Sequence, residues 1–158
     1  MVTNDEGLQL FCAECVPGKY EDSAEHTCKS CPAKWASAGG LTNCTACKVG
    51  KATVNGGAAC QNCVPGTHAL PDRSACKACP TYWVAGFGSD DCILCSAGEF
   101  TNDDASACGQ CPAGQFAASA AASDAGCTTC ISAHSTELKV TDAPGKSACA
   151  VCPDGKTA

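Results

Sequence analysis

Eighteen cysteines in nine Cys-x-x-Cys pairs are the residues of this 158-residue chain whose type and spacing suit them for chemistry. The pairs are Cys12/Cys15, Cys28/Cys31, Cys44/Cys47, Cys60/Cys63, Cys76/Cys79, Cys92/Cys95, Cys108/Cys111, Cys127/Cys130 and Cys149/Cys152. The first seven begin 16 residues apart, and the spacing then stretches to 19 and 22. Thiols placed this way can cross-link as disulfides, hold zinc, or exchange electrons.

Structural disulfides are the favoured chemistry. The count is even, the density exceeds that of ordinary globular chains, and other core-forming residues are scarce. Zinc is a competing reading, because Cys-x2-Cys-x12-Cys-x2-Cys is close to four-thiolate ligand spacing. Nine motifs do not divide into four-cysteine sites, however, and His26, His68 and His134 all lie outside the motifs. A redox-active pair needs a helix N-terminus in a βαβ setting, which nine consecutive copies do not offer. Neither a metal nor any other cofactor is therefore expected.

Spacing alone leaves the pairing open. A staggered ladder would join the second cysteine of one motif to the first of the next, as Cys15 to Cys28, leaving Cys12 and Cys152 over. A nested pattern would join Cys12 to Cys28 and Cys15 to Cys31, leaving one motif over.

The rest of the composition explains why cross-links are needed. Leu, Ile, Val and Phe together number only 20, while Ala alone numbers 28. So little branched and aromatic surface cannot fill a core of normal size, and a chain of this make-up must be stapled. The net charge of −6 and the lack of a basic cluster leave no electrostatic footprint for nucleic acid. No run approaches the ~20 apolar residues of a membrane span. Residues 1–11 lack the basic and apolar regions of a signal peptide, and the end lacks the hydrophobic tail of a lipid-anchor signal. The expected form is a mature chain or a piece of a longer one.

The elements that carry the cysteines repeat with them. After a short lead-in (1–11), residues 12–59 and 60–107 match at 16 of 48 positions, ten of them not cysteine. Cys-Val-Pro-Gly recurs at Cys15 and Cys63, and Cys-Lys-x-Cys-Pro-x-x-Trp runs from Cys28 to Trp35 and from Cys76 to Trp83. A third unit, 108–158, is stretched and cut short. Behind the second cysteine come Pro17-Gly18-Lys19-Tyr20, Ala97-Gly98-Glu99-Phe100 and Ala113-Gly114-Gln115-Phe116. The glycine supplies a turn with positive φ, and the aromatic that follows is expected to lie over a disulfide, with His68 in that place in the second unit. The spacers have no helical period and read as short two-stranded hairpins and loops. Ala117–Ala125 is the one candidate helix. The expected fold is a small disulfide-rich, elongated tandem repeat, a solenoid-like rod in which each step touches mainly its neighbours.

A chain of Cys-x-x-Cys-x-x-Gly-x-[Phe/Tyr] steps, three motifs to a unit, with Cys-Pro and Ala/Ser/Thr-rich spacers, resembles the cysteine-rich surface (immobilisation) antigens of ciliates. More broadly it is similar to ephrin-receptor-like and TNF-receptor-like cysteine-rich repeats. The resemblance runs over residues 12–155. It implies an extracellular coat or surface role, disulfides throughout and no catalysis. Those families drift in spacing, whereas seven motifs here keep strict step, which suggests a uniform rod such as a fibre subunit.

Four further features are weighed. Asn43-Cys44-Thr45 is an N-glycosylation sequon, with chance occurrence as the plain alternative. Asp90-Asp91 and Asn102-Asp103-Asp104 are acidic enough for calcium but match no calcium loop, so solvated turns are expected. Trp35 and Trp83 occupy equivalent positions and are expected to pack. No Ser-His-Asp or paired-carboxylate set is brought together by the repeat, so no enzyme is expected. The functional expectation is an extracellular structural or surface-coat protein, associating with itself or with neighbouring repeats of the same coat or fibre. The alternatives are a receptor-type module binding a protein ligand and an intracellular zinc scaffold.

Overall fold

The computed structural model describes residues 13–130, 141 and 143–150, together with the backbone of Val2–Thr3, Gln9–Leu10, Lys139–Val140 and Val151. Among these residues the strands are β1 (Val2–Thr3), β2 (Gln9–Leu10), β3 (Lys19–Asp22), β4 (Thr27–Ser30), β5 (Trp35–Ala36), β6 (Thr45–Ala46), β7 (Lys51–Val54), β8 (Ala59–Asn62) and β9 (Thr67–Ala69). They continue as β10 (Cys76–Ala78), β11 (Trp83–Val84), β12 (Ile93–Leu94), β13 (Glu99–Thr101), β14 (Cys108–Gln110), β15 (Gln115–Phe116), β16 (Thr128–Thr129), β17 (Lys139–Val140) and β18 (Ala150–Val151). Each odd-numbered strand pairs antiparallel with the next, so every sheet is a single two-stranded hairpin. Hairpins of two to four residues per strand are marginal alone in water. Something other than the strands must hold them.

That something is sulfur. The cysteines pair as the staggered ladder: Cys15–Cys28, Cys31–Cys44, Cys47–Cys60, Cys63–Cys76, Cys79–Cys92, Cys95–Cys108, Cys111–Cys127 and Cys130–Cys149. Cys12 and Cys152 lie outside the described residues. Each link closes one hairpin, its second cysteine lying in the second strand or on the residue just before it. The two cysteines of a motif therefore belong to successive links, and the two residues between them couple one closed loop to the next. A loop of this size removes about 3 kcal/mol of unfolded-state freedom on the chain-entropy account.

A backbone device repeats with the links. The third residue after the second cysteine has positive φ at Gly18, Lys34, Gly50, Gly66, Tyr82, Gly98 and Gly114. In all seven its carbonyl accepts the N–H of the next second-position cysteine: Cys31→Gly18, Cys47→Lys34, Cys63→Gly50, Cys79→Gly66, Cys95→Tyr82, Cys111→Gly98 and Cys130→Gly114, at 2.7–3.0 Å. The turn closes with an i to i+3 bond, as in Lys19 N–H to the Val16 carbonyl and Trp35 N–H to the Pro32 carbonyl (both 3.1 Å). Positive φ at the third residue of such a turn is what favours glycine there.

Successive steps are also sewn together by backbone. Gly18 donates to Ser37, Gly66 to Ala85 and Gly98 to Ala117, each at 2.8 Å; Ser37 in turn donates to Gly57 (2.9 Å) and Ala85 to Ala105 (2.8 Å). Gly40, Gly88 and Gly145 donate to the carbonyls of Cys15, Cys63 and Cys111 at 2.9, 2.8 and 2.9 Å, so the same bond recurs in each third of the chain despite the stretched spacers. The architecture is thus an elongated repeat that grows lengthwise, each step bonded to the one or two after it.

The interior matches this close approach. Its buried members are Cys15, Cys47, Cys63, Cys92, Cys95, Cys111 and Cys130 with Ala36, Ala52, Ala69, Val84, Ala85, Ala117 and Ala121. The largest side chains that are fully buried are Cys63, Cys111 and Ser37. Several of these alanines are themselves bonded to a later step, the Ala69, Ala85 and Ala117 N–H groups donating to Ser89, Ala105 and Lys146.

One expectation is corrected. Ala117–Ala125 is not a helix; only Asp124–Gly126 forms a 3-10 turn. The Ala117 N–H donates to Lys146 (3.2 Å), the Ala121 N–H to Glu99 (2.9 Å), and the Ala121 carbonyl accepts from Thr101 (3.0 Å). Tertiary hydrogen bonds and the burial of Ala117 and Ala121 outweigh alanine's modest preference for helix.

Candidate functional surface

Sixteen of the predicted cross-linking cysteines are in the ladder, which settles what their sulfurs do. Cys95 and Cys108 approach Glu99 with ligand atoms within 4.8 Å of one another, the only such metal-like grouping among the described residues. Both sulfurs are already joined, at 1.96 Å. A sulfur in a disulfide is not a thiolate ligand, so the four-cysteine zinc reading does not apply to these residues.

Several acidic side chains hold backbone N–H groups, within a turn or between steps. Asp22 Oδ1 accepts the Ala24 N–H (3.0 Å), Asp72 Oδ1 the Ser74 N–H (3.1 Å) and Asp104 Oδ1 the Ser106 N–H (3.0 Å). Asp91 Oδ1 accepts the Cys92 N–H at 2.8 Å, and Asp90 Oδ1 the Gly50 N–H at 3.4 Å. Asn102 is tied to Ser106 and Ala107. At Asp22, Asp72 and Asp104 such bonds to the charged form lower the carboxyl pKa. For Asp22 the main cause is the Lys29 ammonium 2.5 Å away, for Asp72 the Ser74 N–H, and for Asp104 the Ser106 hydroxyl. Lys29, held between Asp22 and Glu25, is correspondingly raised.

The two described histidines are not gathered. His26 Nδ1 lies 3.3 Å from Glu21 Oε1 on the surface, His68 is half-buried in β9 opposite Lys77, and His134 lies outside the described residues. Of the aromatics expected over disulfides, Phe100 packs on a cluster of Cys111, Ala117 and Ala121. Its ring also covers Gly109, its cross-strand partner, so closely that a Cβ there would stand 2.6 Å from the ring. Tyr20, Phe116 and His68 are half-buried.

Trp35 and Trp83 do not bury. They remain 42% and 36% exposed, each at the start of a two-residue strand that begins just after a positive-φ residue. The strand partner of Trp83, Leu94, is 51% exposed, and Tyr82, Phe87 and Ile93 in the same step are exposed as well. Tyr82 and Leu94 edge a shallow groove of about 580 Å³ floored by Ser96, Ala97, Ser119 and Ala120. A second groove, of about 590 Å³, runs beside the Cys15–Cys28 link and is lined by Glu14, Glu21 and His26. Asn43 is exposed in the bend before Cys44.

Sequence reasoning missed Lys34 and Tyr82 as left-handed residues. The signal was present, since both stand in register with five turn glycines. It missed the Arg73 guanidinium, which donates to the Cys47 carbonyl across steps, and no local pattern announces that contact.

The chain matches no family model and no curated protein. A tandem array of disulfide-closed hairpins is compatible with an extracellular cysteine-rich protein, because links of this density persist in oxidising compartments. Among the described residues no helix is long and apolar enough to cross a membrane.

Proposed function

We propose that this chain is an extracellular structural or surface-coat protein, a disulfide-laddered rod that serves as a subunit of a coat or fibre and performs no catalysis. The observation that carries this reading is the unbroken polarity of the ladder, second cysteine to next first cysteine, around an interior of sulfur and alanine. Such a rod resists proteolysis step by step, because each hairpin is closed covalently and bonded to its successors. The resemblance to ciliate surface antigens fits that role. The polarity also says what would extend the ladder: a second-position cysteine for Cys12 and a first-position cysteine for Cys152. Neighbouring repeats of a coat, or other copies of the chain, have cysteines of both kinds. Native material run with and without reductant tests this. Assemblies larger than one chain are expected, and finding only monomers would count against the fibre reading.

A second reading has its own observation. Exposed Trp83 beside its exposed strand partner Leu94, with Tyr82 lining a groove next to Leu94, is the kind of surface a receptor-type repeat presents to a protein ligand. Trp83→Ser with Leu94→Ser separates the two. The receptor reading expects lost ligand capture with the disulfides intact, and the structural reading expects assembly unchanged.

A further inference from the structure

Asn43-Cys44-Thr45 is the chain's single Asn-x-Ser/Thr sequence with a middle residue other than proline. Asn43 and Thr45 are both exposed, so a sugar on Asn43 would point into solvent. The residues around them are pinned. Cys44 is bonded to Cys31, Thr45 pairs with Ala36, the Cys47 N–H donates to Lys34 at 2.7 Å, and the Leu41 carbonyl accepts from Glu21 at 2.9 Å. A glycan transferase must draw the asparagine amide and the threonine hydroxyl into its own site, which needs a segment free to move. Closing the Cys31–Cys44 link removes that freedom.

We propose that Asn43 is an N-glycosylation acceptor whose occupancy is set by a race against closure of the Cys31–Cys44 disulfide. The proposal rests on the extracellular reading above. In the transfer, the Asn43 amide nitrogen attacks the anomeric carbon of a lipid-pyrophosphate-linked oligosaccharide. The C–N bond forms, the anomeric C–O bond breaks, the lipid pyrophosphate leaves and the amide gives up one proton. In the competing step the two thiols lose two protons and two electrons to an oxidised thiol–disulfide carrier, and the S–S bond forms. Cys31 precedes Cys44 in the chain, so its partner waits as Cys44 emerges. Contact across so short a loop takes on the order of 100 ns, whereas oxidation takes seconds or longer. The oxidation rate therefore sets the window for modification.

The test is expression of the full chain behind a secretory leader in a eukaryotic host, with intact mass read before and after enzymatic removal of N-glycans. A partly occupied product is expected. Asn43→Gln and Thr45→Ala should abolish occupancy, and Thr45→Ser should keep it. Reductant present during synthesis, or Cys31→Ser, should raise occupancy several-fold. No glycan in either condition overturns the proposal, and occupancy unmoved by reductant overturns the race. Disulfides are counted in the same spectra. Bridges without glycan sink only this inference, whereas free thiols in the secreted chain sink the extracellular reading beneath it.

Discussion

Gly50 lies backbone to backbone against Gly88, two steps further along the ladder. A Cβ on Gly50 would stand 1.7 Å from the Gly88 carbonyl oxygen, and φ at Gly50 is +73°. Gly18 meets Gly56, and Gly98 meets Gly145, in the same way, at 2.3 and 2.2 Å. The step-to-step spacing of the rod is therefore set by bare backbone.

Gly50→Ala should be costly for two reasons, the clash with immovable backbone and the strained turn, at about 2–4 kcal/mol. Gly56→Ala is the control. It also has positive φ, but its added carbon meets nothing within 4 Å, so only the conformational cost of about 1 kcal/mol remains. Denaturant midpoints under non-reducing conditions check the difference. Equal losses would show that the contact between steps does not matter.

Lys34 holds a turn position built for glycine, with φ at +72°. Lys34→Gly should stabilise the protein by about 0.5–1 kcal/mol, the relief of left-handed strain partly offset by the greater freedom of glycine in the unfolded chain. Trp35 emission, in a Trp83→Phe background, reports the change in midpoint. A loss of stability would mean that the Lys34 side chain has a role of its own.

Arg73, the chain's single arginine, ties its step to the Cys47 carbonyl while its own carbonyl accepts from Thr53 (2.8 Å). Arg73→Gln should cost about 1 kcal/mol. The loss should barely change with salt, because the partner is a carbonyl and not a carboxylate. A loss that vanishes in high salt would point instead to a diffuse charge effect.

The acid response follows from the capping carboxylates. Asp22, Asp72 and Asp104 have lowered pKa values, so their contribution is present above the ordinary 3.8 and is lost as pH falls through the lowered values. Lys29 is raised, so its contribution is present below 10.5 and is lost as pH rises through its higher value. Protection of the Ala24, Ser74 and Ser106 amides, measured relative to an unstructured chain at the same pH, should fall as pH drops below the ordinary 3.8 and through the lowered values, while the disulfides keep the ladder closed. Uniform protection down to pH 2 would contradict the capping role.

Much of this architecture was legible because cysteine spacing, turn glycines and hydrophobic poverty all point to one solution. Seven turn residues stand in strict register with the sulfurs, and Gly18, Gly98 and Gly114 announced the turn by type. The pairing was not legible, since staggered and nested links satisfy the same spacing. The structure shows the staggered set, with the Cys31 N–H donating to the Gly18 carbonyl at the base of the hairpin that Cys15–Cys28 closes and the Cys31 sulfur going on to Cys44. The alanine run at 117–125 misled because helix preference is local, whereas the partners of its backbone, Glu99, Thr101 and Lys146, are distant in sequence. The tryptophans were expected to pack, but after Lys34 and Tyr82 each enters a hairpin only two residues long, which leaves little to cover an indole.

Disulfide mapping by mass spectrometry of non-reduced proteolytic peptides tests the ladder itself. The account predicts peptides joining Cys15 to Cys28, Cys31 to Cys44, Cys47 to Cys60 and onward in the same sense to Cys130 with Cys149. Peptides joining Cys12 to Cys28 and Cys15 to Cys31, or free thiols that release zinc to a chelator, would contradict it.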